Sequence, residues 1–154
     1  MTSLILNGEQ WTTAVNPATR LSAALRESGG ALDVKEGCLT GHCGACTILL
    51  DGQPVKSCLL VSGQAEGRSV ISLKGLSTDP VATYLQESFS RAGAVQCGFC
   101  TPGMIIVATA LVKASEVPLS RDDIRAGLVG NLCRCTGYHK IVTAVEEASY
   151  VHES

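Results

Sequence analysis

The sequence has little of what marks several large classes of protein. Its 154 residues include only one Trp, three Tyr and two Phe, and its 12 Lys and Arg form no dense run. Because phosphate neutralisation needs a concentrated basic face, this pattern and a net charge of −2 argue against nucleic-acid binding. The longest apolar stretch, residues 104–112, is too short to span a bilayer. The N-terminus, MTSLILNGEQ, lacks the charged start and long apolar run of a signal peptide. We therefore expect a cytoplasmic protein.

Cysteine, in contrast, is abundant, with eight residues in the chain. Cytoplasmic thiols are held reduced, so metal binding is favoured over a disulfide framework. The cysteines form two quartets, and none is left over. The first quartet has the spacing C-x4-C-x2-C-x11-C and consists of Cys38, Cys43, Cys46 and Cys58. The second has C-x2-C, a gap of 32 residues and C-x-C, and consists of Cys97, Cys100, Cys133 and Cys135.

The first part of the chain has the pattern of strands with one helix. Two hairpins are predicted, with turns at Asn7-Gly8 and Asp51-Gly52, and the second would return Cys58 beside the other three cysteines. A helix between the hairpins is expected to begin after Thr19 as its N-cap. The stretch SVISLKGL predicts a last strand. This composition indicates a small α+β domain at residues 1–75.

The second part, residues 76–154, is predicted to be all-helical. Asp79-Pro80, Thr101-Pro102, Ser120 and Thr136 each give a helix start signal. Four short helices with brief connections indicate a bundle. The predicted linker between the two parts is KGLSTDP, residues 74–80.

The spacing of the first quartet is that of a plant-type [2Fe–2S] site. Three thiolates on one loop must wrap a compact anionic cluster, so the backbone has to come close and turn sharply. Gly41, Gly44 and Ala45 are small enough to allow this. Structural zinc sites more often use two short paired knuckles. For the second quartet the spacing leaves a four-cysteine zinc site and an iron–sulfur site open, although C-x-C is unusual for zinc.

A family resemblance covers nearly the whole chain and fills all eight ligand positions. The motifs KEGCLTGHCGACTILLDG, VKSC, AVQCGFCTPGMI and NLCRCTGY resemble the iron–sulfur subunit of the molybdenum hydroxylases, which include xanthine dehydrogenase, aldehyde oxidoreductases and carbon monoxide dehydrogenase. The resemblance implies an N-terminal β-grasp plant-type ferredoxin domain followed by a C-terminal four-helix bundle. It also implies one [2Fe–2S] cluster in each quartet.

The resemblance further implies an electron-transfer role with no substrate site on this chain. Electrons from a molybdenum–pterin centre on a large subunit would reach the second-quartet cluster, then the first-quartet cluster, then FAD, usually on a third subunit, or another acceptor. By similarity, Gln96 and Cys135 would lie nearest the pterin. Many relatives have glycine after the first cysteine, whereas this chain has Leu39-Thr40, which puts the loop conformation in question.

An alternative is a free-standing two-cluster ferredoxin. Such carriers are usually more acidic than −2, because charge steers their brief encounters with partners. Among the remaining residues, His42 is expected to face solvent and Trp11 to pack on the core or on a partner surface. Arg134 could tune a cluster potential, contact a partner or simply face solvent. His139 and His152 have no evident partners. No nucleophile–base constellation or phosphate loop remains once the cysteines are assigned.

Overall fold

The computed structural model describes residues 1–151, so His152 lies outside the described residues. Within that range the chain forms five strands and five α-helices. The first helix lies between the second and third strands, and the other four helices follow the last strand. The strands are β1 (Thr2–Leu6), β2 (Glu9–Thr13), β3 (Thr47–Leu50), β4 (Gln53–Lys56) and β5 (Ser69–Ile71). The helices are α1 (Leu21–Glu27), α2 (Pro80–Arg91), α3 (Thr101–Ala114), α4 (Arg121–Gly127) and α5 (His139–Val151). Short 3-10 turns span Ser57–Leu59, Ser62–Ala65 and Leu73–Leu76.

The five strands make one mixed sheet in the order β2-β1-β5-β3-β4. β1 and β5 are parallel, and the other neighbours are antiparallel. The two predicted hairpins are confirmed, and each turns through two residues with positive φ: 53° and 88° at Asn7-Gly8, and 49° and 81° at Asp51-Gly52. Positive φ at both positions suits the twist of the flanking strands.

β3 is covered on both faces, which explains its unbroken apolar run. Ile48 lies in one buried cluster with Leu21 and Leu25 of α1. Leu49 points to the other side, where it joins Leu76 and Ile106 of the helical half. The sheet is therefore packed between α1 and α3, and the two halves of the chain share a buried surface.

The first helix begins one residue later than predicted. Arg20, not Thr19, is the N-cap, and its side chain makes no capping hydrogen bond. The chain stays extended through Arg20 because Arg20 bridges to Val61 and Leu21 donates its N–H to the Leu60 carbonyl at 2.8 Å. Tertiary pairing thus overrides the local capping preference of Thr19.

The segment between the halves also departs from the expectation. SVISLKGL forms only the short strand β5, and the next turn of chain is 3-10 helix. The predicted linker 74–80 is a packed connection, because Leu76 is 5% exposed and lies against Ala82 and Ile106. An apolar side chain at this position removes the freedom that a linker would have.

The four helices of the second half enclose one buried cluster that includes Leu85, Phe89, Met104, Ile124, Ile141 and Val145. Asp79 caps α2 by accepting the Ala82 N–H at 3.1 Å, and Ser120 caps α4 by accepting the Asp123 N–H at 3.2 Å, so both predicted caps are confirmed. α3 instead has Cys100 at its N-cap, with Thr101 as its first residue. α5 begins at His139, whereas the sequence predicted its start at Thr136. No helix in residues 1–151 is long and apolar enough to cross a membrane.

Candidate metal centres

The first three cysteines lie on a tightly wound loop between α1 and β3. Leu39, Gly41 and Gly44 all have positive φ, at 58°, 79° and 70°. Leu39 therefore holds the left-handed backbone that a glycine adopts without strain, at a cost of about 1 kcal/mol. The departure at Leu39-Thr40 thus falls on a position whose conformation suits glycine.

Cys58 returns to this loop as the hairpin prediction requires. After β4, Ser57 donates its N–H and its hydroxyl to the Cys46 carbonyl, at 3.3 and 2.7 Å. Cys46 and Cys58 are both buried, and the Cys58 thiol is near enough to influence the pKa of Cys46. Burial, the largest effect, raises the pKa of Cys46 to about 11.

Cys38 has the opposite environment. The backbone N–H groups of Thr40, His42 and Cys43 all point at its Sγ, at 3.4, 3.3 and 3.3 Å. The Thr40 side chain, followed by the Cys43 and Thr40 backbone N–H groups, lowers the pKa of Cys38 to about 5. Donors aimed at a thiolate stabilise negative charge, which is what an anionic thiolate-ligated centre needs.

This difference predicts unequal thiol reactivity in the metal-free chain. Since the thiolate is the nucleophile, iodoacetamide should alkylate Cys38 at a rate that rises through pH 5 and then levels off. Cys100, whose pKa burial raises to about 12, should stay unreactive at neutral pH. Peptide mass spectrometry checks both sites. The variant Thr40→Val should move the Cys38 profile to higher pH, and a wild-type profile that rises only near pH 9 would contradict the assignment.

The second quartet is assembled from the segments that precede α3 and α5. Cys97 and Cys135 are exposed, and their Sγ atoms are 3.6 Å apart. Cys100 and Cys133 are half-buried, and the Cys133 thiol is near enough to influence the pKa of Cys100. Burial acts to raise the pKa of Cys133, but the hydroxyl and N–H of Thr136, which donate to its Sγ at 3.0 and 3.4 Å, lower it overall.

The thiols therefore lie beside one another in pairs. The Cys97 and Cys135 Sγ atoms are 3.6 Å apart, the Cys58 thiol is near enough to influence the pKa of Cys46, and the Cys133 thiol is near enough to influence that of Cys100. Among residues 1–151, no three His, Cys, Asp or Glu side chains are arranged to hold one metal ion. A [2Fe–2S] cluster has two irons that share four cysteine ligands, and thiols that lie beside one another in twos fit this donor set.

Three residues around the second quartet were not predicted to take part in the site. Thr136, read as a helix cap, serves Cys133 instead. The Tyr138 hydroxyl accepts the Cys133 N–H and donates to the Asn131 carbonyl, each at 2.9 Å. Asn131 is 4% exposed and donates its side-chain N–H to the Gly44 carbonyl at 3.1 Å. Their place inside the motif NLCRCTGY was the only signal in the sequence.

The other residues singled out in the sequence lie as follows. Gln96 is exposed, and its side-chain N–H donates to the Cys135 carbonyl at 3.1 Å, so the two residues predicted near the pterin are in contact with each other. His42 and Arg134 are exposed, as expected for His42. Trp11 packs, partly buried, against the sheet core, as predicted.

Two family models match the chain. Residues 4–72 match the family described as "2Fe-2S iron-sulfur cluster binding domain", and residues 72–146 match "[2Fe-2S] binding domain". The chain is 47% identical over 146 residues to the nicotinate dehydrogenase small FeS subunit of Eubacterium barkeri, covering 95% of this chain and 92% of that one.

Two further relatives extend the comparison to other oxidoreductases. The xanthine dehydrogenase iron-sulfur-binding subunit of Escherichia coli O157:H7 is 48% identical over 141 residues, covering 91% of this chain and 88% of that one. The crystal structure of the aldehyde oxidoreductase from Desulfovibrio desulfuricans superposes with a TM-score of 0.89 at 39% identity, covering 99% of this chain and 17% of that one. The chain therefore belongs to the molybdenum hydroxylases, as one of their small iron–sulfur subunits, an electron-transfer protein with [2Fe–2S] clusters.

Proposed function

We propose that each cysteine quartet of this chain holds one [2Fe–2S] cluster and that the two clusters relay electrons between partner subunits. The paired thiols carry this proposal. Cys46 and Cys58 would share one iron of the first cluster, which leaves Cys38 and Cys43 for the other. In the second cluster, Cys97 would share an iron with Cys135, and Cys100 with Cys133. The clusters supply one-electron chemistry, and the residues around them set the charge and solvent access.

We place the second quartet nearest the electron donor, a molybdenum–pterin centre on a large subunit. Cys97, Cys135 and Gln96 are exposed, so a partner can reach this edge of the centre directly. The Gln96 side-chain N–H is bound to Cys135, whereas its side-chain oxygen accepts no hydrogen bond within residues 1–151. That oxygen can accept a hydrogen bond from a pterin ring nitrogen.

Exposed apolar side chains beside the cysteines support permanent assembly with partners. Leu39 and Leu59, 38% and 62% exposed, are next to Cys38 and Cys58. Phe99 and Leu132, 46% and 54% exposed, are next to Cys100 and Cys133. Large exposed hydrophobic residues at one place mark surfaces that a partner covers. We propose that the Phe99 and Leu132 side faces the large subunit and the Leu39 and Leu59 side faces a medium subunit with FAD, or another acceptor.

We propose that residues 1–75 are a β-grasp ferredoxin domain and that residues 76–154 are a four-helix-bundle [2Fe–2S] domain. The sheet with α1 on one face and the single helical core support these assignments. A cytoplasmic location fits the eight cysteines, none of which is in a disulfide.

Purification from the native host tests the assembly directly. An affinity tag on this chain should recover a stable complex with a large subunit that contains molybdenum and pterin. A chain recovered as a stable monomer, with both clusters and no molybdenum subunit, would favour the free-standing ferredoxin and contradict the proposal.

Gln96→Ala gives a residue-level test of the order of the centres. In the complex, both clusters should assemble, but substrate should reduce the second cluster several-fold more slowly, because the proposed contact with the pterin is gone. Rapid-mixing absorbance spectroscopy measures this rate. Gln86→Ala is the matched control, since Gln86 bonds only to Ala82 within α2. Equal rates in the two variants would argue against Gln96 at the pterin.

A further inference from the structure

The segment that carries the second pair of cysteines is hydrogen-bonded to the loop of the first quartet. Asn131 donates its side-chain N–H to the Gly44 carbonyl at 3.1 Å, and Leu132 donates its backbone N–H to the Cys43 carbonyl at 2.8 Å. Leu132 directly precedes Cys133. One proposed ligand of each cluster is therefore joined to the other through a single residue and a hydrogen bond.

The segment that carries Cys97 and Cys100 also packs against the loop of the first quartet. A Cβ atom on Gly103, near the start of α3, would lie 2.4 Å from the Gly44 carbonyl oxygen. A Cβ atom on Gly37 would lie 2.9 Å from the Cys43 Sγ and 3.4 Å from the Phe99 ring. Both segments that supply the second quartet thus contact residues 37–44, so a change in the order of this loop reaches each of them.

The Tyr138 hydroxyl joins the two ends of residues 131–133. It donates to the Asn131 carbonyl and accepts the Cys133 N–H, both at 2.9 Å. Asn131 is 4% exposed, and the Gly44 carbonyl that accepts its side-chain N–H also accepts the Thr47 N–H and hydroxyl, at 3.1 and 2.6 Å, so Asn131 is bonded to an acceptor that is held in place within the first-quartet loop. A displacement of Asn131 is therefore transmitted to Cys133.

We propose that Asn131 is a positioning residue that couples the occupancy of the two centres, so that a cluster in either quartet strengthens retention of the cluster in the other. This inference rests on the ligand assignment proposed above. Ligation orders the loop that presents the Cys43 and Gly44 carbonyls. Once these acceptors are fixed, less conformational entropy remains to be lost when residues 131–133 are ordered. Because linkage is reciprocal, the second cluster should stabilise the first in the same way.

The test compares cluster loss from the full-length, fully loaded chain under an excess of an iron chelator, without oxygen. The double variant Cys46→Ala, Cys58→Ala empties the first quartet. We expect it to lose the second cluster roughly tenfold faster than the wild type does, within the usual range of coupling between sites. Low-temperature electron paramagnetic resonance of reduced samples follows each cluster, and the single-cluster variants identify its signal.

Asn131→Ala completes the double-mutant cycle. In the Asn131→Ala background the second cluster should already be lost quickly when the first quartet is filled. Emptying the first quartet should then increase the rate of loss only slightly. Ser88→Ala is the control, because the buried Ser88 hydroxyl bonds to Glu147 entirely within the helical half. Asn131→Ser, whose shorter side chain does not reach the Gly44 carbonyl, replaces Asn131→Ala if the latter does not fold.

Two results would overturn the coupling. Either the second cluster is lost at the same rate whether the first quartet is filled or empty, or the acceleration persists at full size in the Asn131 variants. A wild-type chain that takes up fewer than two clusters under iron-replete conditions would contradict the ligand assignment itself, and the coupling with it. The coupling and the proposed ligands therefore fail in distinguishable ways.

Discussion

Replacing Cys58 with alanine should abolish the first cluster and, with it, electron delivery to the final acceptor. Cys58 is 5% exposed and lies beside Cys46, so solvent has little access to the ligand position that its removal would leave empty. Iron content should fall by about half, since one of two [2Fe–2S] clusters is lost. In the complex, substrate should still reduce the second cluster, whereas the acceptor should stay oxidised.

Leu59→Ala is the control for this variant. Leu59 is the next residue along the chain and is 62% exposed, so its truncation should leave the iron content unchanged; because Leu59 lies on the surface proposed to face the acceptor subunit, it is the control for iron content alone. Iron analysis and rapid-mixing spectra of the complex measure the two outcomes. A Cys58→Ala chain that keeps its full iron content would show that this residue is not a ligand.

Gly44→Ala should destabilise the loaded chain by about 2–4 kcal/mol. Gly44 has a φ of 70°, and an added Cβ would lie 2.3 Å from the Gly130 carbonyl oxygen and 2.7 Å from the Asn131 side-chain nitrogen. The oxygen belongs to the backbone, so it cannot move aside without shifting the segment that leads to Cys133. Thermal unfolding, followed by visible absorbance and far-ultraviolet circular dichroism, measures the loss.

Gly67→Ala separates backbone strain from the clash. Gly67 has nearly the same φ, 69°, but an added Cβ meets nothing within 4 Å. This variant should therefore lose only about 1 kcal/mol from the unfavourable backbone conformation. If the two alanine variants were equally stable, close packing of the first-quartet loop against residues 130–131 would not be important for the fold.

The parts of the structure that sequence predicted well depend on local signals. The turns at Asn7-Gly8 and Asp51-Gly52 are specified by residues that tolerate positive φ, and the caps at Asp79 and Ser120 act within three residues. The return of Cys58 to the first loop followed from one of these turns. In each case, the determinants of the structure lie next to each other in the chain.

The parts that sequence missed depend on contacts between distant residues. The Asn131 side chain and the Gly44 carbonyl are 87 positions apart, so no local pattern shows that they meet. Threonine is a common helix N-cap, but the Thr136 hydroxyl donates its hydrogen bond to the Cys133 Sγ instead. Leu76 appeared to lie in a linker because its neighbours are small and polar, yet Ala82 and Ile106 bury it. Tertiary packing decided all three.

Iron, sulfide and zinc analysis of the chain purified from iron-replete cells decides whether the eight cysteines hold two [2Fe–2S] clusters. Two [2Fe–2S] clusters require about four irons and about four inorganic sulfides per chain, in a coloured protein with visible absorbance that bleaches on reduction. A colourless protein that contains stoichiometric zinc and no sulfide would contradict the account, because a zinc-filled chain cannot transfer electrons.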